Sequence, residues 1–192
     1  MDYFKMTDTV LIGLYIDGDN RAFDVLVLRH QQKIFTPILI FVKDQDEANE
    51  IFQLTFFKII ETINAGKYND EGKFLPWAIR IAHNICVDRF RKNKRYPHQS
   101  GDDNPLVYEK EGYYEESREE KMFKEQSYEK INKLVALLPT DQREVIMLRH
   151  YADYSFKEIA EMTNVSINTA LGRMRYAVIN LRKMIADYGI ML

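Results

Sequence analysis

The sequence predicts an all-α protein with two small helical domains, an N-terminal helical bundle and a C-terminal helix-turn-helix, joined by an acidic flexible linker. Only 8 glycines and 5 prolines occur among 192 residues, which leaves room for long helices. Apolar residues recur at helical spacing on both sides of a central segment that loses this period, gains acid and carries prolines. The boundaries implied are 1-95 for the first domain, 96-125 for the linker and 126-192 for the second.

From Asp19 to about Phe41, Phe23, Leu26, Val27, Ile34 and Ile38 mark the first helix, which Pro37 is expected to kink or divide. Asp44 and Glu47 read as a capping box opening a helix through about Ile60. "NAGKYNDEGKF" supplies loop chemistry, and Pro76 is expected to start the next helix, which ends near Arg95. After the linker, a helix spans about Gln126 to Leu138, "LPTD" breaks it, and another runs from Asp141 to about Tyr151. In the last stretch Ser155 and Glu158 form a capping box, Asn164 takes a left-handed turn position, and Ser166 caps the final helix. Two short helices around such a turn are a helix-turn-helix signature.

Composition excludes several function classes. Cys86 is the single cysteine, so no internal disulfide forms, and the cytoplasm is expected. The N-terminus lacks a basic leader followed by an apolar core, and the longest apolar run, "IFTPILIFV", is less than half the roughly 20 residues that span a bilayer. Net charge is −2, but its distribution is uneven: "RFRKNKR" and the stretch from Ser166 to Ile185 carry basic residues without acid, flanking the acidic "GDDNPLVYEKEGYYEESREE". Two basic elements separated by an acidic segment read as two contact modules and a linker.

On the helix from Pro76 to Arg95, Ala78, Ile79, Ile81, Ala82, Ile85, Cys86 and Phe90 fall on the apolar side. Trp77, Arg80, Asn84, Arg91 and Arg95 line the other, where an aromatic, an amide and guanidiniums could hold unstacked bases and phosphates. Trp77 could equally be a core aromatic. Cys86 lies in the apolar sector and His83 at its edge; zinc needs further ligands, so no metal or nucleophilic chemistry is expected there. On the final helix, Ile167, Ala170, Met174, Ala177, Val178, Leu181 and Ile185 build core, with Leu171 at the margin. The opposite face presents Asn168, Thr169, Gly172, Arg175 and Tyr176, flanked by Arg173, Asn180 and Lys183, and carries no carboxylate to repel phosphate. An interior glycine costs about 1 kcal/mol relative to alanine, so Gly172 lets DNA approach the backbone, is merely tolerated, or relieves crowding against another helix.

"AFDVLVLRHQ", "DEANEIFQLTFFKI", "FLPWAIRIAHNICVDRFRK", "LPTDQREVIMLRHY" and "SFKEIAEMTNVSINTALGRMRYAVINLRK" resemble, in order and spacing, the extracytoplasmic-function sigma factors of bacterial RNA polymerase, from Asp19 to Lys183. The resemblance implies a transcription initiation factor with no catalytic residues and no cofactor or small-molecule substrate. Its partners would be core RNA polymerase and promoter DNA, with an anti-sigma factor, able to hold it at the inner membrane, left open. By resemblance, Asp46, Asn49, Glu50 and Gln53 dock on the clamp coiled coil of the largest subunit, and the C-terminal domain meets the flap. Trp77, Arg80 and Asn84, with Tyr68 in the preceding loop and Arg91, Lys92 and Arg95 on phosphates, read and melt the minus-ten element on the non-template strand. Asn168, Arg175 and Tyr176 read minus-35 base edges, with Thr169 and Arg173 on phosphates and Gly172 between them. The family often has Glu-Asp where this chain has Asn49-Glu50, and a basic residue and serine where it has Leu171 and Gly172, so its common minus-35 sequence does not transfer. The competing readings are a helix-turn-helix regulator binding its operator without polymerase, an enzyme built on His83 and Cys86, and a protein-binding scaffold.

Overall fold

The second helix is the element around which the N-terminal half is built. The computed structural model describes residues 2–95 and 130–188, and the side chains of 92–95 are also outside it. After a 3-10 turn at Tyr3–Lys5, α1 spans Asp8–Ile16, α2 Asn20–Val42, α3 Gln45–Asn64 and α4 Phe74–Arg95. A helix over 130–137, here α5, precedes α6 (Thr140–Ile146), a π-helical turn (Met147–Tyr151), α7 (Phe156–Thr163) and α8 (Ile167–Asp187). The linker expected over 96–125, and residues 126–129 of the expected next helix, lie outside the described residues.

Local chemistry explains the boundaries. Asp19 Oδ1 accepts Arg21 N–H at 3.1 Å to start α2, and Asp44 Oδ1 accepts Glu47 N–H at 2.7 Å to start α3. Between them Lys43 turns left-handed at φ +64°, and its N–H closes on Leu39 O at 2.8 Å. Pro37 does not divide α2, which continues to Val42. Pro37 is itself buried, and α2 runs through it without the N–H that proline lacks. The helix α2 is long and apolar enough to cross a membrane by length and composition, but half of that apolar window is buried inside the protein. The helix α1 was not expected: "DTVLIGLYI" is nearly continuous apolar sequence without a polar stripe to mark a helical period. It is anchored by Asp8, whose carboxylate receives Arg29 Nη1 and pairs with His30 Nε2, each at 2.7 Å.

The two groups of helices pack against each other. The main core joins Leu26, Ile38, Ile51, Ile59, Phe74, Ile79 and Ala82 with Met147 and Ala152 of the C-terminal group. Conversely, Ile40 of α2 sits in the cluster of Val135, Leu138, Ile146 and Ala177. Met147 is 2% exposed, and fully burying such a side chain contributes roughly 1.5–3 kcal/mol. A third cluster, Val145, Leu148, Ile159, Ala160 and Ala170, holds the helix-turn-helix together. The π-helical turn, with Ala152 N–H on Met147 O at 3.2 Å, lies against α4.

Arg143 is buried where the two groups meet. Its Nη1 donates to Leu138 O at 2.6 Å and Ala136 O at 3.3 Å, and its Nη2 to Phe41 O and Thr140 Oγ1, both at 3.2 Å. Burial pulls its pKa below the ordinary arginine range. The charge persists because the carbonyls at the ends of α2 and α5 carry the negative ends of helix dipoles.

Replacing Arg143 with Met should lower unfolding free energy by about 2–4 kcal/mol, since several buried carbonyls lose their donor. Urea denaturation reads this, and a loss under about 1 kcal/mol contradicts it. Burial would raise the Asp8 pKa, but hydrogen bonds from His30 and Arg29 outweigh it and hold it below the usual carboxylate value. Because the folded pKa is depressed, Asp8 stabilises the fold above the unfolded value of about 3.9, and that contribution is lost as pH falls through the lower folded one. Asp8→Asn should therefore flatten this part of the acid limb in pH-dependent denaturation; an unchanged limb contradicts the assignment.

Candidate nucleic-acid interface

The α4 stripe starts in the loop before it. Asp70 Oδ1 accepts Gly72 N–H at 2.9 Å and the Tyr68 hydroxyl at 3.2 Å, while Gly72 takes φ +70°, which glycine adopts without strain. This holds the Tyr68 ring 4.4 Å, centroid to centroid, from Trp77, which also contacts Phe74 at 5.9 Å. Burial, then the negative charge of Asp70, pushes the Tyr68 phenol well up, so it stays protonated. Trp77 is half-buried and packed against the main core. One side of the indole is thus a core contact.

Arg80, Asn84 and Arg91 are exposed along the same side of α4. Lys92 and Arg95 belong to its last turns, but their side chains lie outside the described residues. The Arg80 guanidinium lies 6.0 Å from the centroid of the Tyr154 ring, beside a surface recess lined by Tyr154, Glu158, Glu161 and Met162. Phe90, expected in the apolar sector, is 47% exposed. His83, expected at its edge, is buried, because the C-terminal helices cover that flank. Its Nε2 meets Glu144 Oε1 at 3.0 Å, and its ring lies 6.4 Å from Phe41. Cys86 is buried, and desolvation pushes its thiol far up, so it is a poor nucleophile at neutral pH. Among the described residues, no three His, Cys, Asp or Glu side chains form a metal-ligand set.

The helix-turn-helix follows the expected chemistry. Ser155 Oγ accepts Glu158 N–H at 3.3 Å, and Glu158 Oε2 accepts Ser155 N–H at 2.8 Å, completing a capping box. The Ser155 hydroxyl and amide hold the Glu158 carboxyl below its usual range, and Lys73 and Arg80 add smaller attractions. Asn164 turns left-handed at φ +53°, and Ser166 Oγ accepts Thr169 N–H at 3.1 Å to start α8. Asn168, Thr169, Arg175 and Tyr176 are exposed, with Gly172 on the same face. A Cβ on Gly172 would meet nothing within 4 Å, so the glycine relieves no crowding. Ile167 and Leu171 are 47% and 43% exposed, not core. α8 rests on its neighbours through Ala170 and Ala177 instead. Arg173 points to α6, 3.4 Å from Asp141 and 3.8 Å from Glu144, and Asn180 Nδ2 donates to Gln142 Oε1 at 3.0 Å. These two therefore lie apart from the exposed stripe.

On α3, Asp46, Asn49, Glu50 and Gln53 are exposed, and Glu50 pairs with Arg89 of α4. Leu54 and Phe57, 45% and 69% exposed, continue the strip. Sequence reading passed over them, although Gln53, Leu54 and Phe57 lie three, four and seven residues from Glu50, on one helix face. Glu144 and Tyr154 were also missed, since nothing in their local sequence reveals which side of α4 they face.

Residues 26–96 match the family model described as Sigma-70 region 2, and residues 128–173 match Sigma-70, region 4. The RNA polymerase sigma-H factor of Pseudomonas aeruginosa is 29% identical over 175 residues, covering 87% of this chain and 88% of that protein. The ECF RNA polymerase sigma-E factor of Escherichia coli is 27% identical over 174 residues, covering 88% and 90%. A solved structure, CnrH in complex with the cytosolic domain of CnrY, shares the fold at a TM-score of 0.56 and 21% identity, covering 94% of this chain and 97% of that one. With region 2 on the α2–α4 helices, region 4 reaching the first turns of α8, and relatives aligned over most of the chain, this protein belongs to the sigma-70 family, as an RNA polymerase sigma factor of the extracytoplasmic-function type that acts in promoter-specific transcription initiation.

Proposed function

We propose that α4 reads the minus-ten element as opened non-template strand and α8 reads the minus-35 element as duplex, while α3 docks the chain on the clamp coiled coil of the largest polymerase subunit. The observation that carries this reading is the exposed, acid-free face of α8, with Asn168, Thr169, Arg175 and Tyr176 around Gly172 on the second helix of a helix-turn-helix. Such a helix fits a major groove, where amide and guanidinium groups pair with base edges. On α4, the free side of Trp77, with Tyr68 beneath it, offers a stacking surface, Asn84 and Arg80 supply hydrogen bonds, and Arg91, Lys92 and Arg95 supply phosphate contacts. Asp46, Asn49, Glu50 and Gln53, extended by Leu54 and Phe57, form a polar strip with an apolar end for docking. Residues 1-95 and 126-192 are the two functional modules, with 96-125 as the connector between them and the second module also meeting the flap. The factor acts in the cytoplasm, where core polymerase performs all the chemistry. CnrH is solved with another polypeptide, and a protein partner of the anti-sigma class, able to tether this chain at the membrane, is proposed as well.

Run-off transcription with core polymerase on a promoter library tests the reading: promoters should be selected only when this chain is added. Failure to bind core enzyme, or operator binding by the free chain with no effect on transcription, overturns it. Gly172→Ala separates the two readings of that glycine that remain, close approach of DNA and mere tolerance. Because the site is open, the variant should gain about 0.5–1 kcal/mol of stability while transcription from promoters that need their minus-35 element falls. Equal transcription by a stabilised variant shows that DNA does not approach the backbone there.

A further inference from the structure

We propose that Leu171, with Ile167 one turn before it, reads thymine C5-methyl groups in the minus-35 duplex, so that this factor selects a minus-35 element with thymine at the base steps facing the pair. This deepens the reading of α8 given above and rests on it.

The pair sits where a reading helix meets base edges. Ile167 opens α8 directly after the Ser166 cap, Leu171 follows four residues later, and both are exposed. Ala170 and Ala177, the buried residues of α8, turn the ridge of Ile167, Leu171 and Arg175 away from the protein, with Asn168 beside it. The first turns of a recognition helix are the part that enters the major groove. Four residues advance the helix by about 6 Å, and successive bases on one strand lie roughly 3.4 Å apart. The two side chains therefore span about two base steps.

Neighbouring polar groups are committed elsewhere. Arg173 is drawn to Asp141 and Glu144 of α6. The Thr169 hydroxyl lies 2.8 Å from Ser166 Oγ, and the Thr169 amide donates to the same oxygen. What remains at the start of the helix is an apolar ridge between Asn168 and Arg175. A single exposed leucine carries no meaning, but two large apolar side chains one turn apart on this face expose area that an apolar partner covers favourably. In the major groove that partner is specific, because thymine alone among the four bases presents a methyl group. Asn168 suits adenine N6 and N7, so the same turns favour A·T pairs on two separate counts. A Cβ on Gly172, next to Leu171, would meet nothing within 4 Å. That clearance lets a leucine, shorter than the arginine or lysine that reaches guanine, come to the base edges.

The test uses the full chain with core polymerase. Minus-35 elements are selected from a promoter library by run-off transcription, and each thymine of the selected element is then replaced singly by uracil, which removes the methyl and keeps the base pair. The wild-type holoenzyme should bind uracil promoters about fourfold more weakly at one or two positions, the effect of one methyl-sized group left in water. Leu171→Ala should bring the thymine-to-uracil ratio close to one at one of these positions, and Leu171→Arg should select guanine there instead. Ile167→Ala should remove the methyl effect at the neighbouring step only. Circular dichroism checks that each variant is folded. Selected elements without thymine, a wild-type ratio of one at every position, or ratios unchanged in both alanine variants overturn the proposal and leave minus-35 reading by α8 standing. Equal loss on thymine and uracil promoters in Leu171→Ala assigns that side chain to a protein surface and overturns it as well. If no promoter is transcribed, or none depends on its minus-35 element, the reading of α8 itself falls, and this inference with it.

Discussion

A single guanidinium at the meeting point of two helix ends is the interaction on which the arrangement of this protein depends. Every α-helix leaves its last carbonyls without intrahelical donors, and burying such an end requires an outside donor. Here carbonyls near the ends of α2 and α5 are buried, and Arg143 serves both helices, reaching Phe41 O on one side and Ala136 O and Leu138 O on the other. Its burial is tolerated because the acceptors are the negative poles of two dipoles. An apolar side chain of similar size would fill the space and leave the carbonyls bare.

Once the end of α2 is fixed, the rest of the interface follows by packing. Ile40, one residue before Phe41, enters the cluster around Leu138 and Ala177, and Met147, four residues after Arg143, enters the N-terminal core. The π-helical turn at Met147–Tyr151 lets the chain change direction there, so that Tyr154 and α7 come over the flank of α4. Glu144, on the next residue of α6, then lies against His83. The positioning of the surfaces proposed to read DNA is thus tied to the same junction that buries carbonyls near the helix ends.

What could be read from the sequence was what local chemistry encodes. The capping box of Ser155 and Glu158, the left-handed Asn164 and the cap at Ser166 depend on neighbours a few residues apart, and all occur as expected. The buried side of α4 was legible at Ala78, Ile79, Ala82 and Cys86, where the helical period is clear. Misses came where a distant element decides. His83 is buried because Glu144 and Phe41 cover it, and Ile167 and Leu171 are exposed because α8 packs through Ala170 and Ala177. Arg143 reads as an ordinary helix-surface cation, and only a partner 102 residues away reveals its place. The exposed stripes of α3, α4 and α8 were largely legible, but Arg173 was assigned to phosphate without the acids of α6 in view.

The central claim is that the free chain holds its two helical groups packed through this junction. Small-angle scattering from the purified monomer, without polymerase, tests it most directly. A packed chain predicts a radius of gyration near about 16 Å, raised modestly by the connecting segment, with a single compact distance distribution. A value well above about 22 Å, with the two-lobed distribution of tethered bodies, would contradict it.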